Sequence, residues 1–128
     1  MAQGAAVVIA DNAAVNVTFS PEKITPELST LVDRTTGVAS RFRRLTVRFV
    51  PAKGNTKVNK SGLAISIPVW GTLPSGAQGV LYTLRARLEF DLPDGCTDVE
   101  RKDLYAFTIN GAANTLVRGA LRDLDPFY

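Results

Sequence analysis

The sequence predicts an α+β fold: an N-terminal β-hairpin, an antiparallel meander sheet and two C-terminal α-helices. Three observations carry the prediction. Residues 43–50 and 80–92 alternate apolar and polar side chains with the period of two that belongs to a half-buried strand. Turn-forming residues separate these runs at short intervals. After Cys96 the apolar spacing lengthens to that of a helix, behind the pattern Thr97-Asp-Val-Glu100, a capping box.

The elements follow in order. Ala5–Ala10 and Ala14–Ser20 are β-prone and flank Asp11-Asn12, a turn signal, so they read as a hairpin. Pro21 and Pro26 are expected to break regular structure, and Ser29–Thr35 to form a short strand before a turn at Thr36-Gly37. In Arg43–Val50, Leu45, Val47 and Phe49 point one way and Arg44, Thr46, Arg48 and Val50 the other. After a polar turn at 51–56, the next strand spans about Val58–Val69. Leu63, Ile65, Ile67 and Val69 lie opposite Lys60, Gly62, Ala64 and Ser66. Gly62 marks a bulge or a close approach by another chain, and Pro68 a strand end or an edge. The uncharged stretch Trp70, Gly71, Thr72, Leu73, Pro74, Ser75, Gly76, Ala77, Gln78 and Gly79 reads as a flexible loop. In Val80–Leu92, Leu84, Ala86, Leu88, Phe90 and Leu92 face inward, and Thr83, Arg85, Arg87, Glu89 and Asp91 face outward. Val99, Leu104 and Phe107 belong to a first helix that Asn110-Gly111 ends or kinks. A second helix covers Thr115–Leu124 until Pro126 stops it. The chain is read as one domain, 1–128, with the hairpin over 5–20, the sheet over 29–92 and the helices over 97–128. Two helices this short cover a long sheet poorly, so a second copy of the chain is expected to complete the core.

Charge is distributed unevenly. Arg34, Arg41, Arg43, Arg44, Arg48, Lys53, Lys57, Lys60, Arg85 and Arg87 fall between Arg34 and Leu88, where no acidic residue occurs. All 12 acidic residues and the other five basic ones lie outside that span, so the formal net charge of +3 conceals +10 in the middle against −7 elsewhere. Arg44, Arg48, Arg85 and Arg87 share one expected sheet face. A sheet apolar on one side and cationic on the other is suited to a polyanion, and nucleic acid is the first partner to expect.

Other classes are disfavoured. The chain has no histidine, which removes Ser-His-Asp and Cys-His schemes and the commonest general base. Asp91, Asp94, Asp98, Glu100 and Asp103 suit a strand end, a turn and a first helical turn, where negative charge complements the helix dipole. A carboxylate enzyme therefore ranks last. With a single cysteine, Cys96, there is no intramolecular disulfide and no zinc cluster; its thiol is either structural, reactive or an intersubunit bridge. No metal, cofactor or small-molecule substrate is expected. No apolar run approaches the roughly 20 residues needed to span a bilayer, and Ala5–Ala10 lacks the form of a signal peptide. The expectation is an unprocessed protein of cytosolic origin with no membrane partner.

This order of elements, with particular residues in it, resembles the coat proteins of the single-stranded RNA bacteriophages, the leviviruses. Cys96-Thr-Asp-Val-Glu-Arg101 is similar to the family's helix start, and Leu124-Asp-Pro-Phe-Tyr128 to the ending of one branch. Arg44-Leu-Thr-Val-Arg-Phe49 and Ile65-Ser-Ile-Pro68 are similar to two of its strands. The resemblance covers about Ala5 to Tyr128. It implies an intertwined homodimer with a continuous sheet, the helices of each subunit clasping the partner. Such dimers assemble into an icosahedral shell, usually T=3, with the sheet facing packaged genomic RNA. The localisation implied is the virion, after synthesis in the bacterial host cytoplasm. The loop Trp70–Gly79 falls where the family contacts neighbouring dimers around the symmetry axes.

The resemblance also implies that the sheet binds an RNA hairpin and represses replicase translation. Thr46 matches a threonine of the family's adenine pocket, Arg44 a basic position beside it and Lys60 another nearby. Gly62 stands where a pocket hydroxyl is expected, Ala64 where one branch has lysine, and Arg48 replaces a small hydroxyl. Counted back from Cys96, the family's base-stacking tyrosine falls at Arg85; Tyr82, next to Thr83, substitutes for it only if the strand is shifted or bulged. Arg87 stands where a polar or acidic residue is common. These departures favour general RNA binding over a hairpin of the familiar sequence. The alternative is a dimeric regulatory module that binds RNA or single strands and forms no shell.

Overall fold

The structure, a computed structural model, describes residues 6–55 and 57–125. Ala5 at the hairpin start, Thr56 in the polar turn, Pro126 as helix stop, and Phe127 and Tyr128 of the tail motif lie outside the described residues. The chain divides into two compact units, with the boundary between Asp91 and Leu92.

The first unit is a six-stranded sheet in the order β1-β2-β3-β4-β5-β6, a pure meander. Its strands are β1 (Val7–Ala10), β2 (Asn16–Ile24), β3 (Leu28–Asp33), β4 (Arg43–Val50), β5 (Val58–Thr72) and β6 (Gln78–Pro93), with a 3₁₀ turn at Ala39–Arg41 before β4. The β1–β2 hairpin forms where Asp11-Asn12 predicts it. The Asp11 carboxylate accepts hydrogen bonds from the amides of Ala13 (2.9 Å) and Val15 (3.0 Å), which closes the turn.

Two prolines behave differently from expectation. β2 does not break at Pro21: it continues to Ile24, and a register shift between Pro21 and Lys23 absorbs the proline as a bulge. Pro26 stays outside, in the turn from β2 to β3. β5 does not end at Pro68. The β4–β5 register places Arg44 opposite Ser66, so Pro68 lies past the point where β4 pairs with β5 and its missing N–H removes no rung of that ladder. Gly62 is not a bulge: the register runs unshifted from Arg44↔Ser66 to Val50↔Lys60. A Cβ there would lie 3.4 Å from the Leu88 carbonyl oxygen and 3.7 Å from the Glu89 Cγ of β6, which is ordinary van der Waals contact.

Alternation sorts the sheet into two faces. On one, Phe19, Leu31 and Leu45 are buried together, with Val17, Leu63 and Ile65 packed against them. Val47 and Phe49 continue this apolar face but remain 44% and 45% exposed. Asp33 is also buried. Its carboxylate accepts from Nε (2.9 Å) and NH2 (2.6 Å) of Arg43 and from the amide (3.1 Å) and hydroxyl of Thr35.

The second unit holds α1 (Asp98–Ala113) and α2 (Thr115–Arg122). The capping box is present: Thr97 Oγ1 accepts from the Glu100 amide (3.2 Å), and Glu100 Oε1 accepts from the Thr97 amide (2.8 Å). Asn110-Gly111 neither ends nor kinks the helix, which runs on to Ala113. Asn114 makes the break, with φ −61° and ψ 138°, and its carboxamide oxygen accepts from the amide of Leu116 (3.0 Å) to start α2. No side chain of either helix is buried; Val99, Phe107, Leu116 and Leu121 are each at least 67% exposed.

Candidate nucleic-acid interface

The face opposite the Phe19–Leu31–Leu45 cluster is built in rows across the strands. The register lines up Leu28, Arg48 and Gly62 in one row, Thr30, Thr46 and Ala64 in the next, and Val32, Arg44 and Ser66 in the third. Small residues on β5 keep the floor low, and the long side chains of β4 and β6 stand around it. Two adjoining cavities of about 180 Å³ each result. The first is lined by Leu28, Thr46, Arg48, Gly62, Arg87 and Glu89 among others; the second by Thr46, Ser66, Arg85 and Arg87 among others. Thr46, Ala64 and Arg87 line both, so the two form one groove.

The cations of this region differ in how they are neutralised. Arg44 is paired with Glu22, NH1 to Oε2 at 2.7 Å. Lys53 meets Glu27 at 3.4 Å, and Arg43 is held by Asp33. Arg48, Arg85 and Arg87 form no ion pair among the described residues, and all three are exposed. Arg41 stacks over the Trp70 ring at 5.1 Å, and Arg34 over Phe42 at 5.8 Å, which ties the segment before β4 to its neighbours.

Of the residues singled out from sequence, Arg44, Thr46, Arg48, Arg85 and Arg87 share this face or its groove. Lys60 sits at the end of the β4–β5 ladder opposite Val50, and Thr83 and Tyr82 lie further along β6; none of these three lines either cavity. The stretch 70–79 is not a ten-residue loop. Trp70, Gly71 and Thr72 belong to β5, Gln78 and Gly79 to β6, and only Leu73, Pro74, Ser75, Gly76 and Ala77 make the turn. The turn is closed by Leu73 N to Ala77 O (2.8 Å), Gly76 N to Leu73 O (2.9 Å) and Gln78 Nε2 to Thr72 Oγ1 (2.8 Å). Gly71 and Gly79 permit this closure, because a Cβ at either would come within 2.7 Å of Leu81 or Leu73.

Glu22, which pairs with Arg44 on this face, is not among the residues singled out from sequence. Nothing local marks it; it reaches Arg44 because the bulge after Pro21 turns it onto the cationic face. Cys96 is half-buried, and Arg101 donates to its carbonyl oxygen at 3.1 Å.

An antiparallel meander followed by two short helices is the architecture of a class of shell-forming proteins known from solved structures. The chain superposes on the protein in the virus-like particle of Beihai levi-like virus 21 with a TM-score of 0.88 at 20% identity, covering 99% of each chain. For the virus-like particle of bacteriophage ESE058 the TM-score is 0.87 at 24% identity, covering 99% of this chain and 100% of the other. For the capsid protein of bacteriophage GA it is 0.68 at 16% identity, covering 97% of both. No curated protein is a significant sequence match. The family model of levivirus coat protein matches residues 2–128, and the chain belongs to that family. It is a capsid protein.

Proposed function

We propose that the chain acts as a single coat domain, 1–128, which pairs with a second copy and assembles into an icosahedral shell of T=3 type around single-stranded genomic RNA. The observation that carries the RNA contact is the groove on the cationic sheet face. There Arg48, Arg85 and Arg87 stand without an ion pair among the described residues, around a floor of Gly62, Ala64 and Thr46. Unneutralised arginines bind phosphate by releasing counterions and stack on unpaired bases. An RNA hairpin is the natural ligand of such a face, and its capture near the replicase start represses translation.

Pairing of two copies is supported by two features. β6 is the last strand in the order and 16 residues long, so a second β6 can continue the sheet beside it. Val47 and Phe49 on the apolar face, and Val99, Phe107, Leu116 and Leu121 on the helices, are exposed apolar groups that a partner would bury. The turn at 73–77 supplies contacts between dimers. In this reading the chain acts in the virion, after synthesis in the host cytoplasm.

Negative-stain electron microscopy of the purified protein, with the ultraviolet spectrum of the same fraction, tests this reading. Uniform spheres carrying RNA are expected. A species that stays dimeric and never closes, with or without added RNA, would replace the coat by a regulatory RNA-binding module.

A further inference from the structure

Glu89 is the one carboxylate in the lining of the two cavities. It is exposed, and its Cγ lies beside Gly62, 3.7 Å from where a Cβ would stand. Arg48 and Arg87 line the same cavity, yet neither pairs with it among the described residues. A carboxylate so placed repels phosphate. It accepts hydrogen bonds only, through two parallel oxygens, so it suits a ligand that offers two adjacent N–H donors. Among the RNA bases guanine alone does so on its Watson–Crick edge, through N1–H and the N2 amine. Adenine and cytosine present one amine beside an acceptor, and uracil one N–H between two acceptors. Gly62 and Ala64 give the floor of the cavity an apolar surface, and Thr46 adds a hydroxyl to its lining.

We propose that Glu89 makes this groove selective for an unpaired guanine, which it holds by its Watson–Crick edge while Arg87 and Arg48 engage the flanking phosphates. The proposal rests on the RNA-binding reading above and deepens it. Glu89 plays two opposed roles: it weakens contact with RNA in general and strengthens contact with one base.

The test is fluorescence anisotropy of the full-length protein with three short unstructured oligoribonucleotides. One is adenosine-only, one carries a single guanosine, and one carries inosine there, which lacks the N2 amine. The wild type is expected to bind the guanosine oligomer roughly tenfold more tightly than the inosine one, the loss of one hydrogen bond to a charged acceptor. Glu89→Gln is expected to bring that ratio close to one and to tighten binding of the adenosine-only oligomer. Equal affinity of the wild type for guanosine and inosine, with a steep salt dependence for all three, would overturn the guanine site and leave RNA binding standing. So would a Glu89→Gln variant that keeps the preference. Absence of salt-dependent binding to any of these oligomers, and to a hairpin that carries the guanosine in its loop, would remove the RNA reading and this proposal with it.

Discussion

The Arg44 guanidinium and the Glu22 carboxylate meet at 2.7 Å, NH1 to Oε2, although 22 positions separate them in the chain. The contact neutralises one arginine of the cationic face, whereas Arg48, Arg85 and Arg87 form no ion pair among the described residues. Both side chains are about two-fifths exposed, at 40% and 43%, so the pair holds by proximity in a well-solvated setting and yields readily to a competing phosphate.

Removal of the acid should therefore strengthen RNA binding. Glu22→Gln is expected to raise affinity and to steepen the salt dependence by about 0.7–0.9 in log–log slope, the increment of one additional phosphate contact. A salt titration of RNA affinity checks this, and an unchanged slope would mean that Arg44 stays off the RNA.

The same pairing ranks the arginines. Arg87→Ala and Arg48→Ala should each lower affinity and reduce the salt slope by about 0.7–0.9. Arg44→Ala should have the smaller effect, since part of its charge is already offset by Glu22. Equal losses at all three positions would contradict the ranking.

Asp33 governs acid stability. Burial raises its carboxyl pKa, but hydrogen bonds from the Thr35 side chain, from Arg43 and from the Thr35 amide outweigh that and hold it below its ordinary 3.8. A carboxyl with a lower pKa folded than unfolded stabilises the fold fully above pH 3.8, and the contribution is lost as pH falls through the folded value. Asp33→Asn should cost about 1–3 kcal/mol at neutral pH, by leaving Arg43 without its charged acceptor. It should also shrink the loss of stability in acid. Calorimetry of both proteins across acidic pH reads the two effects, and parallel acid profiles would exclude Asp33 as the responsible group.

The hairpin tip is interlocked. A Cβ at Gly71 would lie 2.5 Å from Leu81 Cδ1, so Gly71→Ala forces the Leu81 side chain, 46% exposed, to swing aside at a cost of about 1 kcal/mol. The variant is expected to melt lower and to give altered or fewer particles, and Leu81→Ala in the same chain should restore assembly. Deletion within 73–77 should alter assembly while folded subunits persist; if it unfolds the subunit instead, the turn is structural.

The capping box offers a separate check on the helical unit. Thr97→Ala removes the acceptor for the Glu100 amide and should destabilise α1 by about 1 kcal/mol, read as a drop in melting temperature.

The period-two alternation of Arg43–Val50 reports directly which side chains share a face, because strand geometry is local. For the same reason the Asp11-Asn12 turn and the capping box at Thr97 stand where the sequence places them. Pro21 and Pro68 mislead, because a proline breaks a strand only where its N–H would meet a partner. At Pro21 a bulge takes up the mismatch, and at Pro68 β4 has already ended; both facts belong to the neighbouring strand. The same holds for 70–79, where local composition suggests a loose loop but cross-strand packing of Gly71 on Leu81 extends both strands.

The sequence by itself determined the class of fold, the order of its elements, the segregation of charge and the two faces of the central strands. Each of these depends on the residue types along a short stretch of chain and the dihedral preferences they carry. Tertiary structure alone decided which arginines are neutralised, that Glu89 enters the groove over Gly62, and that Asp33 is buried under Arg43. Those outcomes depend on strand register and on the bulge in β2. Register is set by the packing of the whole sheet, and a shift of one residue would turn every one of these side chains to the opposite face.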